Sequence, residues 1–339
     1  MRLTRAACLR TASLAALSAV LQPPAAPAHA WCGEKVPGWA YFLKWDERPV
    51  PFVWDGVKAE VLCRVVGDKG RESKTGVPPV LLVGNPGVGY DYLENLEGLT
   101  VSDRRVIEVV FAGTRPGGAP LPASIRGAEA CAAQLRAVCS AIGVPRVHVL
   151  AHGSGALPAL RLLRDGGGPA LRSLALVSPY GSAADLKAAA RPAAGEPAAR
   201  ALARLLPTSD AAAPATCIAE ATAGAAPWLL GDDGGGGERL GSGGALAAQL
   251  AAARDAKVAT LVVWGGPRDV VEPSWDVQAL QGANANLRVY EASGHLPFIE
   301  QREEFAGEYL SFLDAADGVT TSRELILDPS IEAIKAPVM

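Results

Sequence analysis

Residues 48–66 (RPVPFVWDGVKAEVLCRVV) alternate apolar and polar positions in two stretches that meet at Asp55-Gly56, the pattern of two antiparallel strands joined by a tight hairpin. Polar residues 67–76 then form a loop, and Pro79 precedes Val80-Leu81-Leu82-Val83. That unbroken apolar run predicts a strand covered on both faces. It stops at Gly84-Asn85-Pro86-Gly87-Val88-Gly89, and residues 105–111 repeat the strand signal before a Gly/Pro-rich loop. Over 125–142, Ile125, Ala128, Cys131, Ala132, Leu135, Val138, Cys139 and Ile142 recur at helical spacing, and Gly143 ends the pattern. Further strands are predicted at 146–151, 171–178, 258–264 and 286–292, with helices at 155–164 and about 300–314.

Strands alternating with helices imply an α/β fold, a mostly parallel central sheet with helices on both faces. Residues 182–256 interrupt the alternation. They are Ala-rich, broken by Pro192, Pro197, Pro207, Pro214 and Pro227, and carry a glycine run from Gly234 to Gly237. This reads as a helical insertion between 31–181 and 257–316, followed by a tail at 317–339.

Composition narrows the class. The 339 residues carry a net charge of −3, which gives no electrostatic footprint for nucleic acid. Past the N-terminus no apolar run has the roughly 18–20 residues that span a bilayer, so an integral membrane protein is not expected. The first thirty residues read as a leader. Arg2, Arg5 and Arg10 precede an apolar stretch from Ala12 to Leu21, and Ala28-His29-Ala30 resembles a cleavage site before Trp31. This is the layout of a signal peptide for the secretory route or an organelle lumen; a plastid or other organelle transit peptide is the alternative. Without Cys8 of the leader, five cysteines remain, too few by one for a fully paired set. Cys131 and Cys139 stand roughly 12 Å apart along a helix, too far to bridge. A Cys32–Cys63 disulfide would suit an exported chain, and buried free thiols are the plainer reading.

Three segments lie at the carboxyl ends of predicted strands, where open α/β sheets place their sites. They are Val147-His148-Val149-Leu150-Ala151-His152-Gly153-Ser154-Gly155, Trp264-Gly265-Gly266-Pro267-Arg268-Asp269, and Ser293-Gly294-His295-Leu296-Pro297-Phe298. With the Gly84–Gly89 turn they give, in chain order, a loop with backbone donors, a strand-to-helix elbow, an acid and a histidine. That order resembles the α/β-hydrolase superfamily over roughly residues 50–315. Gly84-Asn85-Pro86-Gly87 followed by Asp91-Tyr92-Leu93 looks most like the proline-iminopeptidase-type branch. The resemblance implies a hydrolase core at 31–181 and 257–316 with a helical cap at 182–256, a catalytic acid at Asp269, a catalytic histidine at His295 and oxyanion donors at Asn85 and Ser154.

The chain departs from that pattern at the nucleophile. In the register of the 146–151 strand, the nucleophile position falls on Gly153, flanked at the small-residue positions by Ala151 and Gly155. The elbow residue normally takes positive φ, a strain of about 1–3 kcal/mol for a residue with a side chain, and glycine removes it. Ser154 is the nearby replacement, one residue further round the turn. His148 alternates with apolar neighbours and reads as structural, while His152 is ambiguous. Four scattered histidines give no metal spacing, no phosphate loop is present, and no cofactor is expected. Three readings follow. One is a hydrolase of small ester, amide or peptide substrates using Ser154, His295 and Asp269. Another is an enzyme in which His295 acts directly as general base. The third is a non-catalytic protein binding a small apolar or peptide-like ligand, as in the N-myc downstream-regulated family, which resembles this chain in its elbow glycine.

Overall fold

The computed structural model describes residues 45–67, 76–86, 91–114, 121–125, 127–179, 244–265, 269, 283 and 285–319. The leader at 1–30, Cys32, residues 182–243 of the expected cap, Gly87–Gly89 and residues 320–339 of the tail lie outside them.

Trp45–Trp54 (β1) and Val57–Val66 (β2) pair antiparallel, with Trp54 opposite Val57. The two-residue turn between them needs positive φ at both positions, and Asp55 (49°) and Gly56 (75°) supply it. Then follow Val80–Val83 (β3), Val106–Val110 (β4), Arg146–His152 (β5), Ala170–Val177 (β6), Ala259–Trp264 (β7) and Asn286–Val289 (β8). They form one eight-stranded sheet in the order β1-β2-β4-β3-β5-β6-β7-β8. β2 pairs antiparallel with β4, and every pairing from β4 through β8 is parallel.

β3 lies between β4 and β5, and all four of its residues are buried, as an uninterrupted apolar run requires. Its side chains divide between two cores. Leu81 and Val83 pack with Leu135, Leu160 and Leu250, while Val80 and Leu82 pack with Leu93, Leu150 and Phe298. The first core is closed by helices Ala128–Ala141 (α1), Ala156–Asp165 (α2) and Gly244–Asp255 (α3). The second is closed by a 3-10 helix at Asp91–Ser102 and by Pro297–Glu300 (α4) and Arg302–Asp317 (α5).

Differences from the sequence expectation are local. The last strand ends at Val289, because a turn closed by Ser293 N–H to Tyr290 O redirects the chain. The 3-10 helix at 91–102 answers to no predicted element. The final helix is two helices, broken at Gln301. α3 lies inside the Ala-rich 182–256 stretch, yet its Leu250 and Ala253 are buried in the first core. Cys63, Cys131 and Cys139 are buried free thiols, and burial pushes those of Cys63 and Cys139 up to about 12. Among the described residues no helix is long and apolar enough to cross a membrane.

Candidate active site

β5 runs directly into a 3-10 turn, Gly153–Gly155, and from there into α2. The residue at positive φ in this turn is Gly153, at 57°. Strand and helix can meet so abruptly because Gly155 has no side chain. A Cβ there would stand 2.5 Å from Val83 O and 2.6 Å from Gly84 O, both fixed backbone atoms. The elbow is thereby locked against the end of β3 and the loop that carries Asn85.

Asp269 and His295 meet across the ends of β7 and β8. His295 Nδ1 lies 2.9 Å from Asp269 Oδ1, and both side chains are buried. A carboxylate can only accept, so Nδ1 carries the hydrogen and Nε2 keeps the basic lone pair. The two loops approach closely because Gly265 is bare: a Cβ on it would collide with the backbone oxygen of Gly294. The histidine loop is braced from the other side by Glu300. Its Oε2 accepts from Gly294 N–H and, at 3.2 Å, from the Ser293 hydroxyl.

A second hydrogen-bonded chain runs beneath this pair. His152 Nε2 is 3.1 Å from the carbonyl oxygen of His295 and must donate to it. His152 Nδ1 is then the acceptor for the Tyr92 hydroxyl at 3.2 Å. Burial, together with the neighbouring His295, pushes the His152 imidazole down to about 3, so it stays neutral in this role. The Tyr92 oxygen in turn accepts from Asn85 N–H at 3.0 Å. Asn85 Oδ1 takes two donors from the elbow, Ser154 N–H at 2.8 Å and Ser154 Oγ–H at 3.0 Å. Edge-on contacts of the His152 ring with His295, Tyr92 and Phe298 fill the space between these groups.

The fold therefore gathers Asn85, Gly153, Ser154, Asp269 and His295 at the carboxyl edge of the parallel strands. It directs the Ser154 hydroxyl at Asn85, whereas His295 turns its Nδ1 to Asp269. Two contributors escape a reading of the sequence. Tyr92 stands in the Asp91-Tyr92-Leu93 phrase, but its link to Asn85 and His152 joins residues 7 and 60 positions away. Glu300 follows the histidine phrase with nothing to show that it curls back on Gly294. Among the described residues no group of three or more His, Cys, Asp or Glu side chains could hold a metal ion.

A family model described as "Alpha/beta hydrolase family" matches residues 80–308. No relative was found among curated proteins. Solved structures share the architecture at low identity. The proline iminopeptidase of Mycobacterium smegmatis is 21% identical, with 80% of this chain and 99% of that one covered at a TM-score of 0.56. The esterase RhEst1 from Rhodococcus sp. ECU1013 is 20% identical, with 80% and 99% covered at a TM-score of 0.60. A putative aryl esterase from Burkholderia cenocepacia is 18% identical, with 80% and 100% covered at 0.60.

Proposed function

The chain belongs to the α/β-hydrolase family, and from that premise we propose that it hydrolyses small ester, amide or peptide substrates with His295, oriented by Asp269, as the base. The observation that carries this reading is the buried His295–Asp269 pair, 2.9 Å apart beside the elbow. Gly153 offers no nucleophile, and Ser154 stands one residue past that elbow position with its hydroxyl hydrogen-bonded to Asn85 Oδ1. Water is accordingly the attacking group. His295 Nε2 takes a proton from it as its oxygen bonds to the acyl carbon. The imidazolium then returns that proton to the leaving oxygen or nitrogen as the acyl bond breaks, and Asp269 stabilises the transient charge. The leader-like 1–30 supports release into a secretory or organelle lumen, and the Ala-rich stretch ahead of α3 supports a cap that selects small apolar or peptide-like molecules.

A second reading, a non-catalytic binding protein, is favoured by one specific observation: the backbone N–H groups of Asn85 and Ser154 both donate to the protein's own oxygens. Turnover of a panel of p-nitrophenyl esters, run beside fluorophosphonate labelling, separates the alternatives. Slow turnover that disappears in His295→Ala, survives in Ser154→Ala and is accompanied by no labelling is the expected result. Labelling that is lost in Ser154→Ala would instead make Ser154 the nucleophile. Neither turnover nor labelling in the native chain, with both gained by Gly153→Ser, would establish the binding protein.

A further inference from the structure

The Asn85 carboxamide makes hydrogen bonds that are unusual for a loop side chain. Its Oδ1 accepts from the Ser154 backbone N–H at 2.8 Å and from the Ser154 hydroxyl at 3.0 Å. The orientation of the amide is fixed by chemistry, because a backbone N–H can only donate and so requires the oxygen to face it. An sp² amide oxygen held by the N–H that follows the elbow residue has the same bonding as the carbonyl oxygen of an ester or amide under attack. The companion donor is engaged as well, since Asn85 N–H donates to Tyr92 Oη at 3.0 Å. Tyr92 is built into that position. Gly84 is bare where a Cβ would come 2.8 Å from Tyr92 Oη, and the hydroxyl is anchored beyond by His152 Nδ1.

We propose that Asn85 Oδ1 is an internal occupant of the anion hole, a carboxamide latch that a ligand must displace. The ligand class follows from the donors it covers: a molecule with an anionic or strongly polarised oxygen, such as the tetrahedral oxyanion of an acyl adduct or a phosphonate that copies it. This inference rests on the reading of the elbow as the acyl site, but it concerns occupancy of the hole and not the rate of the chemistry. Each oxyanion donor is worth about 10²–10³ in rate where it is available. An internal competitor lowers apparent affinity by the fraction of time the hole stands open.

The test measures binding of n-butylphosphonate by titration calorimetry to the full chain and to Asn85→Ala, Asn85→Asp and Tyr92→Phe. Amide hydrogen exchange at Ser154 is followed in parallel. Asn85→Ala is expected to bind the phosphonate at least about tenfold more tightly than the native chain and to exchange the Ser154 amide faster by a similar factor. Asn85→Asp keeps an oxygen in place and adds charge, so it binds more weakly than the native chain. If Asn85→Ala does not fold, Asn85→Ser, which withdraws the carboxamide oxygen from Ser154, serves as the uncapped variant with an expected severalfold gain, and Tyr92→Phe reports on the companion amide. Phosphonate binding that is equal in the native chain and the uncapped variant, or too weak to detect in both, overturns the latch. Absence of ester turnover in every variant would instead defeat the hydrolase reading and leave these binding results standing.

Discussion

His148 and His152 lie four residues apart on β5, on the same face of the strand and roughly 13 Å apart by strand rise, and both are buried. Each accepts a hydroxyl at Nδ1 and donates from Nε2, but to acceptors of different charge. His148, at the amino end, donates from Nε2 to Asp317 at 3.1 Å and accepts from the Ser173 hydroxyl at Nδ1, 2.8 Å away. Asp317 also receives Arg104, whose guanidinium reaches Asp314 at 3.0 Å as well and is almost fully buried. This network clamps the end of α5 to the bottom of the sheet. His152, at the carboxyl end, touches a tyrosine hydroxyl and a backbone carbonyl, and no carboxylate among the described residues bonds to it. The amino end fixes the fold with paired charges, whereas at the carboxyl end His152 supports the His295 loop through neutral hydrogen bonds. A positive charge on His152 would oppose the imidazolium that the reaction creates on His295.

The largest expected effect tests that division directly. His295→Ala and Asp269→Asn should each lower ester turnover per folded molecule by about 10²–10⁴. Turnover per folded molecule that stays unchanged would show that the pair is structural. Arg104→Ala should do the reverse. Leaving Asp314 and Asp317 without their buried partner should cost about 3–5 kcal/mol in urea unfolding, with turnover per folded molecule unchanged.

A smaller effect is expected from Gly155→Ala. Its new Cβ would press on Val83 O and Gly84 O, so the elbow must part from β3. About 1–3 kcal/mol of stability should be lost, measured by the same unfolding curves, together with the Ser154–Asn85 bonds. The acid response sharpens the contrast most finely. Burial and the nearby His295 lower the His152 imidazole to about 3 in the folded protein, so below pH 6.5 the unfolded chain binds a proton that the folded one refuses. The associated stability is complete above pH 6.5 and falls as pH drops toward 3, by about 2 kcal/mol between pH 7 and 5. Burial also lowers His148, against the opposing pull of Asp317. The pH 7-to-5 difference should therefore shrink in His152→Gln and shrink again when His148→Gln is added.

Much of this architecture is written in local patterns. The hairpin at Asp55-Gly56 follows from two residues that tolerate positive φ, and β3 from four apolar side chains in a row. The helical spacing from Ala128 to Cys139 marks α1 because only one face of it meets the sheet. Other elements gave no local sign. The 91–102 segment mixes Glu94 and Glu97 with its apolar residues, and those acids are buried only because Arg64 of β2 lies against them, at 2.6 and 3.0 Å. α3 was masked by alanine, which suits a helix on a sheet as well as a cap. At the site, the phrases around Gly153, Asp269 and His295 could be read in order. What Ser154 does there could not, since its partner Asn85 is 69 residues earlier.

Sequence by itself determined the alternation of strands and helices, the glycines that permit close approach, and the family resemblance in the histidine and acid phrases. These depend on periodicity, on backbone freedom and on residue types a few positions apart. Only the tertiary structure decided which hydrogen bonds those residues make. A serine hydroxyl has several acceptors to choose from, and folding of the β3 loop against the elbow put Asn85 Oδ1 within 3.0 Å of Ser154 while Asp269 took the Nδ1 of His295. The direction of a hydroxyl is set by atoms distant in sequence, and at this elbow it turns Ser154 toward Asn85.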